Sequence, residues 1–254
     1  MKLGKNTPAV ISGGASGLGA AVAKRLRTLE VPVTIFDMNA ESGPVFAKEI
    51  GAEFAKVDVS DAASVASGLK VAASKGCPRI VVNCAGIAPA AKTVSRGEAH
   101  DTTLFSKVIG VNLIGTFNLS SQAALLMSEA EPIGSDDERG VIVNTASVAA
   151  YEAQIGQIAY GASKGGVVGM TLPMARDLAS HGIRVCSIAP GMMKTAMMDG
   201  FPQEVQDSLA ANIPYPPRLG DADEFASLVQ HIAENSYING ETIRLDGATR
   251  MQPR

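Results

Sequence analysis

The sequence predicts an α/β domain in which helices cover both faces of a doubly wound, parallel, seven-stranded sheet. Three observations carry that prediction. Short apolar runs rich in β-branched residues alternate with longer stretches of helical periodicity, the pattern of successive βαβ units. Two of those runs, Ile80-Val81-Val82 and Val141-Ile142-Val143, are apolar at every position, as strands covered on both faces require. A chain of 254 residues with 46% hydrophobic composition can bury a large core within one domain.

In chain order, the first strand is Ala9 to Ser12. It runs into a glycine-rich turn, from which a helix is expected over Gly19 to Leu29. Val33 to Phe36 is the second strand, closed by Asp37. Glu53 to Val57 is the third, followed by Asp58-Val59 and a helix over Ala62 to Ala73. The fourth strand, Ile80 to Asn83, ends on the small residues Cys84-Ala85-Gly86, and a long helical pattern covers Asp101 to Met127. Gly134 to Arg139, with two aspartates and a glutamate, is expected as an exposed loop ahead of the fifth strand, Val141 to Asn144. A helix over Gln157 to Ser180 contains Pro173, where a kink is expected because proline removes a backbone donor. The last strands are Arg184 to Ile188 and Thr242 to Leu245, with a helix over Ala222 to Ala233 between them.

Residues 191 to 219 show no clear strand or long helix and carry four methionines and four prolines, the profile of a mobile substrate loop or lid. No repeat or linker divides the chain, so residues 1–254 form one domain. Its cofactor-binding part is expected over 1–145 and its catalytic and substrate-binding part over 146–254.

Composition excludes several classes of function. Lysine plus arginine is 22 against 25 for aspartate plus glutamate, a formal charge of −3, and no basic block is long enough to follow a phosphate backbone. Nucleic acid is not an expected partner. Cys77, Cys84 and Cys186 are odd in number and lack metal-ligand spacing, so they are expected as reduced thiols with no metal. Met1 to Thr7 leads directly into a strand without a signal-like apolar stretch, and no apolar run reaches the roughly 18 residues that span a bilayer. The expected compartment is the cytoplasm, with no membrane partner.

The turn Ser12-Gly13-Gly14-Ala15-Ser16-Gly17-Leu18-Gly19 follows a strand and opens a helix. Gly13, Gly17 and Gly19 let the backbone approach a pyrophosphate, whose charge the helix N-terminus stabilises. Asp37 ends the next strand eighteen residues after Gly19, where a carboxylate can accept both adenosine-ribose hydroxyls. It would repel a 2′-phosphate. Ser16, Met38 and Asn39 offer no compensating positive charge, which favours NAD over NADP. Asp58 holds the adenine edge with Val59, or else Asp58 or Ser60 is the N-cap of the next helix.

Tyr160 and Lys164 lie four positions apart, on one face of a helix, thirteen residues after Ser147. An ammonium beside a phenol favours the phenolate and makes the tyrosine an acid or base near neutral pH. Gln154 and Gln157 lie on the approach to Tyr160 and either hydrogen-bond a polar substrate group or simply start the helix. Met192, Met193, Met197, Met198, Phe201 and Leu209 either line a deformable apolar substrate pocket or pack the core.

Together, Gly13-x-x-x-Gly17-x-Gly19, Asn83-Cys84-Ala85-Gly86, Asn112, Ser147, Tyr160-x-x-x-Lys164 and Pro190-Gly191 resemble, in order and across the whole chain, the short-chain dehydrogenase/reductase family. Within that family, Asn144 to Ala150, Gly169 to Leu178 and Ile243 to Ala248 are similar to the 3-hydroxyacyl-CoA dehydrogenases of type 2, also described as 17β-hydroxysteroid dehydrogenases of type 10.

The resemblance implies a Rossmann-like fold, NAD, a homotetramer, and a mitochondrial location in a eukaryote. It implies cofactor contacts from Ser16, Leu18, Asp37, Asp58, Val59, Cys84, Tyr160, Lys164, Met193 and Thr195. Ser147, Tyr160 and Lys164 are implied as catalytic, with Asn112 anchoring a water that leads from Lys164 to solvent. Ser12 stands where threonine is common and Cys84 where a second asparagine is common. The implied reaction interconverts (3S)-hydroxyacyl-CoA and 3-oxoacyl-CoA, including short branched chains. The alternative is a hydroxysteroid or broad secondary-alcohol dehydrogenase. Asp37 argues against a carrier-protein reductase using NADPH, and the intact Ser147, Tyr160 and Lys164 argue against a non-catalytic scaffold.

Overall fold

Seven strands pair in the order β3-β2-β1-β4-β7-β8-β9, all parallel, in a computed structural model that describes residues 1–194 and 203–253. They are β1 (Ala9–Ser12), β2 (Val33–Asp37), β3 (Glu53–Lys56), β4 (Ile80–Asn83), β7 (Gly140–Thr145), β8 (Ile183–Pro190) and β9 (Thr242–Leu245). Each matches a strand expected from the apolar runs, within a residue or two at the ends. A two-stranded hairpin, β5 (Val94–Ser95) and β6 (Glu98–Ala99), adds a small antiparallel pair that the sequence reading did not contain.

Helices α1 (Gly17–Thr28) and α9 (Ala222–Glu234) cover one face of the sheet. Helices α3 (Ala62–Ala73), α4 (Thr102–Ile109), α5 (Gly115–Ser128) and α7 (Ile158–Leu178) cover the other. Two apolar layers follow from this arrangement. Ile11, Leu26, Ile35, Val143 and Phe225 are buried on one side, and Phe36, Leu69, Leu119, Met127 and Ile142 on the other. Strand residues alternate between the layers because successive side chains point to opposite faces.

Several expectations change. The helix expected over Asp101 to Met127 is interrupted by a π-helical turn at Gly110–Ile114 that joins α4 to α5. Together these span Thr102–Ser128, long and apolar enough to cross a membrane by length and composition alone, although polar residues such as Lys107 and Asn112 interrupt any continuous apolar run. Leu119, Ala123 and Met127 place this helix in the domain core. Helix α7 runs through Pro173 to Leu178, close to the expected Gln157 to Ser180.

The stretch 191–219 contains α8 (Gln203–Ala211), where no long helix was expected. Two further short helices, α2 (Ser42–Ile50) and α6 (Ala149–Glu152), were not in the sequence reading. In the loop expected to be exposed, Glu138 is buried against Arg184, its Oε1 2.7 Å from the guanidinium Nη2. A buried charge requires such a partner.

Candidate active site

The carboxyl ends of β1, β2, β4 and β7 form one edge of the sheet, where loops leave room for a ligand. Gly13 has φ of +62°, and a Cβ there would lie 2.7 Å from the amide nitrogen of Ala85. A Cβ on Gly19 would collide with the carbonyl of Gly13. The turn therefore packs on the end of β4 with no space for side chains, as a phosphate cradle needs. Asp37 fixes its outer side, accepting from Ala15 N at 3.1 Å and from Asn39 N at 3.0 Å.

A cleft of about 540 Å³ opens at this edge, and its walls include Gly13, Ser16, Gly17, Leu18, Gly19, Asp37, Asp58, Val59 and Cys84. The structure thus brings together the cofactor-contact residues implied from the first half of the chain. Lys107 of α4 and Val111 of the π-helical turn also line it. The sequence reading missed both, because a lysine on a helix surface carries no motif.

Asp58 does not cap α3. Asp61 does, accepting from Ala63 N at 2.8 Å, while Asp58 Oδ1 accepts from Ser60 N and Ser60 Oγ at 2.9 and 2.6 Å. The capping alternative for Asp58 and Ser60 therefore falls, and Asp58 lies in the cleft wall.

Burial and a hydrogen bond from Thr145 surround the Cys84 thiol. The burial pushes its pKa up to about 11, so it stays protonated and inert.

At the far end of this edge, Ser147 follows β7 and Tyr160 lies in the first turn of α7. Lys164, one helical turn further on, is buried and donates from Nζ to the carbonyl of Thr145 at 2.6 Å. Burial lowers its pKa to about 8.

Burial also raises the pKa of Tyr160, and a hydrogen bond with Ser147 opposes that rise. In the unliganded chain burial sets the direction of the phenol's shift. Nζ lies 5.8 Å from the Tyr160 ring centroid and is turned toward Thr145. Desolvation of the phenolate is the largest cause of the rise.

Asn112 sits in the π-helical turn with its amide fully engaged. Oδ1 accepts from Ile87 N at 2.8 Å, and Nδ2 donates to Ile87 O at 2.9 Å and Ser163 Oγ at 3.0 Å. The side chain clamps the loop after β4 to α7.

Gln157 stands at the start of α7 and accepts through Oε1 from Gln154 N at 3.0 Å, which favours the helix-start reading for it, while the Gln154 side chain donates to Gln252 O at 3.1 Å. Met193 packs in the core, and a Cβ on Gly220 would lie against its sulfur, so any cofactor contact from this residue is through its backbone. Met192 lines a small pocket with Ile213 and Pro216. Thr195, Met197, Met198 and Phe201 lie outside the described residues.

Comparison with known proteins agrees with this geometry. Residues 7–206 match the sequence profile of the family described as short chain dehydrogenase. The chain is 51% identical to 3-hydroxyacyl-CoA dehydrogenase type-2 of Bos taurus, over 98% of this chain and 97% of that protein. It is 50% identical, over the same shares, to the Homo sapiens protein of that name. A crystal structure of 3-hydroxyacyl-CoA dehydrogenase type-2 from Mycobacterium avium superposes with a TM-score of 0.94 at 44% identity, covering both chains entirely.

Proposed function

We propose that this chain, which belongs to the short-chain dehydrogenase family and is an oxidoreductase using a nicotinamide cofactor, works with NAD on (3S)-hydroxyacyl-CoA and 3-oxoacyl-CoA esters. The observation that carries this reading is the convergence of Ser147, Tyr160 and buried Lys164 beside a glycine-walled cleft. The names of relatives near 50% identity supply the substrate class.

The residues fit the dinucleotide: the Gly13 and Gly19 positions exclude side chains, and Asp37 presents a carboxylate at the cleft wall. Ser16, Leu18, Asp58, Val59 and Cys84 would line its adenosine and pyrophosphate portions, and Lys164 its nicotinamide ribose. When bound, NAD accepts the hydride in the oxidative direction and NADH returns it in the reverse.

The protein's own residues manage the proton. Tyr160 Oη takes it from the substrate hydroxyl during oxidation and donates it to the carbonyl oxygen during reduction. Ser147 donates a hydrogen bond to the same oxygen and stabilises charge developing there. Lys164 keeps a positive charge near the phenolate as it forms, and Asn112 holds the neighbouring loop to α7. In the proposed homotetramer, the exposed apolar residues Ile114, Phe117 and Leu125 of the α4–α5 helix would meet a second copy. Light scattering that gives a monomer at micromolar concentration would remove that assembly.

The direct test is steady-state reduction of acetoacetyl-CoA with NADH and with NADPH, wild type beside Tyr160→Phe. NADH-dependent turnover that the variant loses is the expected result. Absence of turnover by wild type that still binds NADH would move the substrate to steroids or other secondary alcohols.

A further inference from the structure

We propose that Glu152 and Arg244 are positioning residues for Ser147 and Tyr160, acting through a strap of chain, residues 249–253, laid along the loop that joins them; the inference rests on the oxidoreductase reading above. Ser147 and Tyr160 are separated by a connection whose only regular element before α7 is the four-residue α6. A single turn of helix is too short to hold its own geometry.

The connection is instead held from outside. Arg244 Nη1 donates to Glu152 Oε1 at 2.8 Å, and Met251 N donates to Glu152 Oε2 at 2.8 Å, so both carboxylate oxygens are occupied. Gln154 Nε2 donates to Gln252 O at 3.1 Å and Ile155 N to Pro253 O at 3.0 Å. Ala91 N also donates to Gly156 O at 2.8 Å, a further tie on the loop from outside it.

Arg244 is the hub of this arrangement. Its Nε donates to Asp246 Oδ2 at 2.7 Å and its Nη2 to Thr249 O at 3.0 Å, and the guanidinium lies 5.4 Å from the centroid of Tyr151. Asp246 backs directly on Gly191, where a Cβ would come within 2.8 Å of the Asp246 Cβ. One guanidinium therefore ties together the Ser147–Tyr160 connection, the strap and the start of the expected substrate loop. The carboxyl of Glu152 is held below the usual carboxylate range by Arg244, so the latch stays charged at neutral pH. Lysine at 244 has no planar fork and cannot reproduce these bonds.

The test compares Glu152→Gln and Arg244→Lys with Asp223→Asn, which removes the carboxylate partner of Arg25 far from the site. In the first two, kcat for acetoacetyl-CoA is expected to fall about tenfold or more, since small misplacements of reacting groups are costly. NADH affinity, read by fluorescence enhancement, should stay within about twofold, because the strap does not touch the cofactor cleft. Hydrogen–deuterium exchange should rise across residues 147–160 but not across β1 to β4. The Asp223→Asn control should keep its kcat.

Unchanged kcat and exchange in the latch variants would overturn the proposal, as would a loss of kcat matched by an equal loss of NADH affinity. If either latch variant does not fold, Gln154→Leu removes one strap bond and is expected to show a smaller change of the same kind; its absence is equally decisive. Wild type without acyl-CoA turnover would defeat the substrate reading, while the exchange measurement would still decide for or against the strap.

Discussion

The Lys164 ammonium and the Thr145 carbonyl, 2.6 Å apart, connect the helix carrying the tyrosine to the strand that ends beside the serine. The bond satisfies one of the three donors of an ammonium that is otherwise removed from water, which is why burial depresses its pKa to about 8.

A stability difference that depends on pH follows. A base whose folded pKa lies below its unfolded value of about 10.4 penalises the fold fully below pH 8, and the penalty is relieved as pH rises toward 10. Lys164→Met removes the titration. Relative to wild type, the variant should be more stable at pH 7 than at pH 10, by on the order of 3 kcal/mol. Urea unfolding at the two pH values reads the difference; equal differences would show that Lys164 is not desolvated.

The phenol of Tyr160 should titrate above the ordinary tyrosine value of about 10 in the unliganded chain. Ultraviolet difference titration of wild type against Tyr160→Phe isolates it. Ser147→Ala should move it higher still, because the Ser147 hydrogen bond is what lowers it. A midpoint at or below the ordinary value would refute the desolvated setting.

Asp37 holds the turn through Ala15 and presents its carboxylate to the cleft. Asp37→Ser combined with Met38→Arg should shift the ratio of NADH to NADPH efficiency toward NADPH by about tenfold or more, equivalent to roughly 1.4 kcal/mol. Some affinity for NADH should also be lost as the turn loosens. An unaltered ratio would mean that Asp37 faces no ribose.

Gly13→Ala meets two obstacles: a φ of +62° and a Cβ only 2.7 Å from Ala85 N. Destabilisation of about 2–4 kcal/mol is expected, with dinucleotide binding lost. Thermal unfolding with and without NADH checks both parts.

The strands were legible because a doubly covered parallel strand leaves an unbroken apolar run, as in Ile80-Val81-Val82. Helix α2 was not. It contains Gly43 and Pro44, poor helix formers, and is held by tertiary packing of Gly43 on the ring of Phe54. At Asp58, Ser60 and Asp61 three residues could cap α3, and only the folded backbone shows which hydroxyl or carboxylate faces the free N–H groups. The spacing of Tyr160 and Lys164 placed them on one helix, as found. It could not show that Thr145 would claim the ammonium or that burial would govern the phenol. Glu138 belongs with these cases: its partner Arg184 is 46 residues away, a pairing no local pattern reveals.

The strand order has a bearing on how the chain is made. Strands β1 to β4 are neighbours in the sheet in the order β3-β2-β1-β4, so the first 83 residues contain every pairing of that half. During synthesis from the N-terminus, the nucleotide-cradling half can assemble while the segment with Tyr160 is still untranslated. Strands β7, β8 and β9 then join the exposed side of β4 one after another. Until β7 arrives, that side of β4 is an open apolar edge, and each strand added after it leaves such an edge in turn, a template for aggregation that a chaperone would cover.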